Sequence, residues 1–146
     1  MKISVLGAGG WGTTLGILLH YNGHQVTLWE YKKNYVKELI KKRVNSLYLP
    51  GVNIPQEILI THDLKESVRQ KNLIVLAVPS QFLRSVIEDV SYSDIKNSIL
   101  VSVAKGIENK HLMTMSQMLK DVHPNLSEEQ IGVLSGPSHA EEVSKR

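Results

Sequence analysis

The residues best suited to chemistry begin at the seventh position. Gly7, Gly9 and Gly12 in "GAGGWG" (7–12) follow the pattern G-x-G-x-x-G. Glycines so spaced permit a tight turn, let the backbone approach a pyrophosphate and let a helix pack close on a strand. The free N–H groups of a helix start, with about half a positive charge from the helix dipole, suit a phosphate. Gly10 and Trp11 lie inside the same turn. Glu30 stands 18 residues after Gly12, where a carboxylate can bridge the hydroxyls of an adenosine ribose, which argues for NAD. Tyr31, Lys32 and Lys33 follow at once, and a cation there could instead hold the 2′-phosphate of NADP.

Three further groups carry candidate chemistry. Lys105-Gly106 ends an apolar run; a lysine there can orient an anionic or carbonyl substrate, although a lone loop lysine is commonly just solvated. The run Ser135-Gly136-Pro137-Ser138-His139-Ala140 is rich in small residues that let a ligand lie against the backbone, with Ser138 as a donor to phosphate or hydroxyl. His139 reads as a helix-start residue rather than a proton carrier, and the six histidines show no metal-ligand spacing. Val78-Pro79-Ser80 reads equally as cofactor lining and as helix punctuation.

Elements that would position these residues alternate. Strands are expected over 2–7, 24–30, 57–61, 72–79, 98–106 and 131–137, and helices over 11–23, 32–43, 63–70, 80–90 and 111–122. Asp63 and Ser80 stand where helix N-caps belong, and the proline-rich stretch 45–55 reads as a loop. Leu15, Leu18 and Leu19 make one inward face, Val36, Leu39 and Ile40 a second, and Leu112, Met115, Met118 and Leu119 a third. Continuous apolar strands alternating with helices imply an α/β fold of Rossmann type, doubly wound about a mostly parallel sheet. Ligands bind such sheets at the carboxyl ends of the strands, where every candidate above falls.

Composition sets the frame: 146 residues, 42% hydrophobic and 21% charged, fit one globular domain. No apolar run reaches the roughly 20 residues of a membrane span, which excludes membrane insertion of this segment by a helix. Cysteine is absent, removing disulfides and thiolate metal sites, and a cytoplasmic setting is the economical reading. The formal charge of +3 is concentrated in residues 31–43, where six Lys or Arg meet one Glu. No aromatic platform accompanies that stretch, so it reads as a solvated helix face rather than a nucleic-acid grip.

The motifs "GAGGWGT", "YLPG", "LAVPS", "AKGIE" and "LSGPSHAEEV", taken in order along the whole chain, closely resemble those of the bacterial NAD(P)-dependent glycerol-3-phosphate dehydrogenases. That resemblance implies reduction of dihydroxyacetone phosphate to sn-glycerol 3-phosphate, an entry to phospholipid synthesis, and a homodimeric full-length enzyme. It implies that Gly10, Trp11, Tyr31, Lys32, Lys105 and Ala140 touch the cofactor, and that Lys105, Gly136 and Ser138 touch the substrate. Many family members have arginine where Lys32 stands and a neutral residue where Glu30 stands. Both departures bear on the choice between NAD and NADP, which stays open with NAD preferred. Family members run about twice this length, and their proton-donating lysine lies in a C-terminal helical domain. Residues 1–146 are therefore expected to form the cofactor domain, incomplete at its C-terminal end, with the catalytic lysine beyond Arg146 and no activity alone. The alternatives are a redox-sensing dinucleotide module and a hydroxyacid or hydroxyacyl dehydrogenase of related fold.

Overall fold

Strands with no polar face need cover on both sides, and this chain supplies it with helices. The computed structural model describes residues 1–136 and 138–145. In chain order the elements are β1 (Lys2–Leu6), α1 (Gly10–Tyr21), β2 (Gln25–Trp29), α2 (Lys33–Lys42), β3 (Val44–Asn45) and β4 (Leu49–Asn53). There follow β5 (Leu59–Thr61), α3 (Leu64–Val68), β6 (Leu73–Leu76), α4 (Ser80–Glu88) and α5 (Tyr92–Ile95). The series closes with β7 (Ile99–Ser102), α6 (Met115–Val122), β8 (Ile131–Val133) and α7 (Ala140–Val143).

Six strands form one sheet in the order β5-β2-β1-β6-β7-β8. Every pairing in it is parallel, so the expected Rossmann-type doubly wound fold is observed. Strand order reverses between β1 and β6, and the crevice above that reversal is where such sheets bind ligands. Side chains alternate between two cores, as the pleat requires. Ile3, Val5, Val26, Leu28 and Val75 pack beneath α1 and α2 with Leu15, Ile17, Val36 and Leu39. Leu6, Ile74, Leu76 and Leu100 pack on the other face against Leu83, Ile87, Met118 and Leu119.

Several expectations need correction. The stretch 45–55 is not an open loop: β3 and β4 pair antiparallel, Val44 with Asn53 and Asn45 with Leu49. Pro50 is tolerated because no further strand pairs with β4, and Leu49 and Ile54 are buried, which anchors the hairpin on the α1 side. The helix expected over 111–122 begins only at Met115. Thr114 caps it in a reciprocal box with Gln117, and Leu112 stands outside, 74% exposed, in a left-handed conformation (φ 55°). Pro79, not Ser80, occupies the N-cap position of α4; Ser80 is its first helical residue and is buried. The helix expected over 80–90 ends at Glu88, and α5 follows as a separate single turn. Ile40 is 46% exposed rather than inward, and Leu18 is also exposed. Asp63 does cap α3, accepting from the Glu66 N–H at 2.9 Å, although that helix ends at Val68. The last strand, expected over 131–137, ends at Val133, and Pro137 lies outside the described residues.

The basic stretch forms α2 with Val36 and Leu39 buried. Arg43 is structural rather than a free surface cation, since its Nη1 donates to the carbonyls of Pro55 and Ile58 at 3.2 and 2.8 Å. Lys42 pairs with Glu38 one turn back.

Candidate functional site

The glycine turn shows which of its glycines serve folding. Gly7 adopts φ 110°, a conformation that side chains rarely take, and its N–H donates to the Trp29 carbonyl at 2.9 Å. A methyl group on Gly12 would overlap the Gly7 carbonyl oxygen and press on Ala77, so α1 can sit this close to β1 only with glycine there. Gly10 faces the hairpin: an added methyl would meet the Tyr48 carbonyl at 2.6 Å. Gly9 differs from all three, because a methyl there meets nothing within 4 Å. That open space lies at the N-cap of α1, which has no capping side chain and no acidic residue in its first turn. The N–H groups of the first turn are therefore left for an outside acceptor. A cradle with free donors, space above Gly9 and no competing acid fits a dinucleotide pyrophosphate.

A buried amide holds this turn in place. Asn45, fully buried in β3, donates through Nδ2 to the Ala8 carbonyl and to Thr13 Oγ1, both at 2.8 Å. Its Oδ1 accepts from the Tyr35 hydroxyl and from the Tyr48 N–H at 3.1 Å. Burial pushes the Tyr35 hydroxyl above its ordinary pKa. Asn45 was not singled out from sequence; the local signal was an asparagine three residues ahead of the "YLPG" run.

Glu30 follows β2 and is buried, with Oε1 accepting from the Lys32 N–H at 3.1 Å. Its own N–H donates to the Thr61 carbonyl at 3.0 Å, which ties the turn after β2 to β5. Tyr31 and Lys33 are exposed, and the Lys32 ammonium lies 5.6 Å from the Tyr31 ring centre. Trp11 is partly buried against the α1 core. Trp29, although next to Glu30 in sequence, is 6% exposed with its indole N–H on the His62 carbonyl, so it points away from the Glu30 side chain's surface.

Across the strand-order reversal, Lys105, Gly136 and Ser138 line one open cleft of about 420 Å³ with Thr114 and Ser116 at the start of α6. Lys105 is thus brought beside Gly136 and Ser138, about thirty residues on in sequence. Ala140 begins α7 beside the glycine turn: its carbonyl accepts from Thr14 Oγ1 at 3.2 Å and its Cβ approaches the Gly10 position. Val78 is buried and Pro79 exposed at the end of β6. His139 precedes α7 and caps it with no side-chain hydrogen bond.

The loop after Lys105 carries a cluster that sequence reading passed over. Arg84 of α4 donates through Nε to Glu108 Oε1 at 2.5 Å and through Nη2 to Oε2 at 3.0 Å. Its Nη1 reaches Asp121 of α6 at 2.7 Å, and His111 Nδ1 lies 3.1 Å from Glu108 Oε2. Bonding to Arg84, and to a lesser degree to His111, holds the Glu108 carboxyl below the usual carboxylate range despite burial. The same two carboxylates raise the Arg84 guanidinium above its ordinary value. The one available signal was Glu108 itself, inside the quoted "AKGIE".

A doubly wound parallel sheet with an uncapped glycine turn at its reversal point defines the class, a dinucleotide-binding Rossmann domain. Residues 2–146 match the family described as NAD-dependent glycerol-3-phosphate dehydrogenase N-terminus, and the chain belongs to that family. A relative from Thermoanaerobacter sp., glycerol-3-phosphate dehydrogenase (NAD(P)+), is 49% identical over 146 residues, covering 100% of this chain and 43% of its own length. The enzyme of that name from Fusobacterium nucleatum is 47% identical over 149 residues, covering 99% of this chain and 43% of its own. The crystal structure of glycerol-3-phosphate dehydrogenase from Coxiella burnetii superposes with a TM-score of 0.89 at 31% identity, over 99% of this chain and 43% of that one. The chain thus spans less than half the length of these relatives.

Proposed function

We propose that residues 1–146 are the cofactor-binding part of a glycerol-3-phosphate dehydrogenase, reducing dihydroxyacetone phosphate to sn-glycerol 3-phosphate with NADH or NADPH. The observation that carries this reading is the uncapped start of α1 with open space above Gly9, at the same sheet edge as the cleft of Lys105, Gly136 and Ser138. Gly7, Gly9, Gly10, Trp11 and Gly12 would hold the pyrophosphate and Glu30 the adenosine ribose, with Tyr31 and Lys32 beside it. Burial of the Glu30 carboxylate favours NAD, since a 2′-phosphate set against it would meet like charge. Ala140 would close on the cofactor from α7. The bound nicotinamide would supply hydride. The chain's own part would be to exclude water, orient the substrate through Lys105, Gly136 and Ser138, and place Lys105 between cofactor and substrate.

The proton for the reduced carbonyl would come from a lysine in a helical domain outside this chain, so residues 1–146 alone would not turn over. Among the described residues no helix is long and apolar enough to cross a membrane. A cytoplasmic homodimer serving glycerophospholipid synthesis accords with this reading. The test is oxidation of NADH by dihydroxyacetone phosphate in the intact protein carrying this chain. Lys105→Ala is expected to lower kcat/KM on the order of 100-fold or more; unchanged kinetics would remove its assigned role.

A further inference from the structure

Lys105 sits on an exposed loop that has no regular structure until α6 begins at Met115. A flexible lysine there would lose much of its value, because an orienting charge works only when it is placed in advance. The loop is nevertheless anchored, and the anchor is α4. Gln81 brackets three consecutive residues: its Nε2 donates to the Ile107 carbonyl at 2.7 Å and its Oε1 accepts from the Asn109 N–H at 3.1 Å. Between those two contacts Glu108 turns inward, its side chain 6% exposed, onto the Arg84 guanidinium, 14% exposed. The Glu108 N–H also donates to the Met113 carbonyl at 2.8 Å, which closes the loop on itself. Gly106, at φ 85°, turns the chain from this anchored segment back to Lys105, and the buried Ser80 hydroxyl lies 3.8 Å from where a Cβ would stand. Ser80, Gln81 and Arg84 all belong to the first two turns of α4, which itself starts from the end of β6 beside the strand-order reversal.

We propose that Gln81 and Arg84 are positioning residues for Lys105, acting through the backbone of residues 107–109 and the carboxylate of Glu108. The helix that leaves the central strand thereby fixes where the lysine of a distant loop stands over the cofactor cleft. This inference rests on the substrate-orienting role given above to Lys105. Gln81 is the cleaner probe, since it is exposed and its removal deletes both hydrogen bonds to the loop, and one from its Nε2 to Ser80 Oγ, without leaving a buried charge. Removing one partner of the Arg84–Glu108 pair would leave a buried charge and could unfold the region, so that pair is the secondary probe.

The experiment is a double-mutant cycle of Gln81→Ala and Lys105→Ala in the intact protein, read as kcat and KM for dihydroxyacetone phosphate with melting temperature as control. The expected result is a fall in kcat/KM on the order of 10-fold for Gln81→Ala, with NADH affinity and melting temperature close to the parent. In the Lys105→Ala background the same change should cost almost nothing further, because the group being positioned is gone. Equal cost in both backgrounds, or no cost in the parent while Lys105→Ala is impaired, would overturn the positioning role. Unimpaired Lys105→Ala would instead overturn the role of Lys105 itself, a separate outcome.

Discussion

The glycine turn and the Lys105 loop lie at one edge of the sheet and are held there by opposite chemistry. Around the turn the ties are neutral: the buried Asn45 amide joins Ala8, Thr13, Tyr35 and Tyr48, with every strong donor and acceptor of its side chain used. Around the loop an ionic cluster is added to the neutral Gln81 amide, with Arg84 between Glu108 and Asp121 and His111 at the margin. The contrast follows from what each region must present. A turn meant to receive an anion benefits from support that brings no carboxylate, since a fixed negative charge nearby would repel the phosphate. A loop meant to present a cation tolerates ionic bracing of this kind, since Arg84 faces both Glu108 and Asp121 and the negative charge left in excess does not repel a lysine.

Steric fit sets the largest expected effect. Gly12→Ala puts a methyl into the Gly7 carbonyl and should destabilise the chain by about 3 kcal/mol or more, seen in urea unfolding. Behaviour close to the parent would show that α1 can lift from β1 and that the turn is less tightly specified than its geometry requires. Asn45→Ala is expected next, at about 1–3 kcal/mol, because the buried Ala8 carbonyl and Thr13 hydroxyl would lose their donor. That loss should be insensitive to salt, as befits a neutral network.

The loop side should respond to pH instead. The Glu108 carboxyl is held low in the folded chain, so its pairing stabilises above the ordinary carboxylate pKa of about 4.3 and that contribution is lost as pH falls through the lower folded value. Glu108→Gln should therefore be less stable than the parent at neutral pH, with the gap narrowing below about pH 4 in acid-titrated melts. A gap that does not change with pH would mean the ion pair contributes packing rather than charge.

Much of this arrangement was legible in the residues. Uninterrupted apolar strands implied a parallel sheet, and the spacing of Gly7, Gly9 and Gly12 with Glu30 pointed to one edge of it as the ligand side. Short-range chemistry was harder to read. The hairpin at 44–53 was hidden by Pro50 and Gly51, residues that punctuate loops but are tolerated in a strand with a free edge. The delayed start of α6 was encoded in Thr114 and Gln117, a capping box outweighed by the apolar spacing from Leu112. Asn45, Gln81 and Arg84 act across 24 to 37 residues of sequence, and contacts that depend on two elements already being folded leave no local pattern.

The glycines offer the sharpest test of the whole account, because geometry divides them into those that fold the turn and one that only receives a ligand. The measurement is an NADH titration of the 146-residue chain followed by the fluorescence of Trp11, comparing the parent with Gly9→Ala at matched stability. The parent should show a saturable change, and Gly9→Ala should melt at the parent's temperature yet lose most of its affinity, since its methyl fills only the space left for the pyrophosphate. Equal affinity in the two proteins would contradict the assignment of this turn as the dinucleotide site.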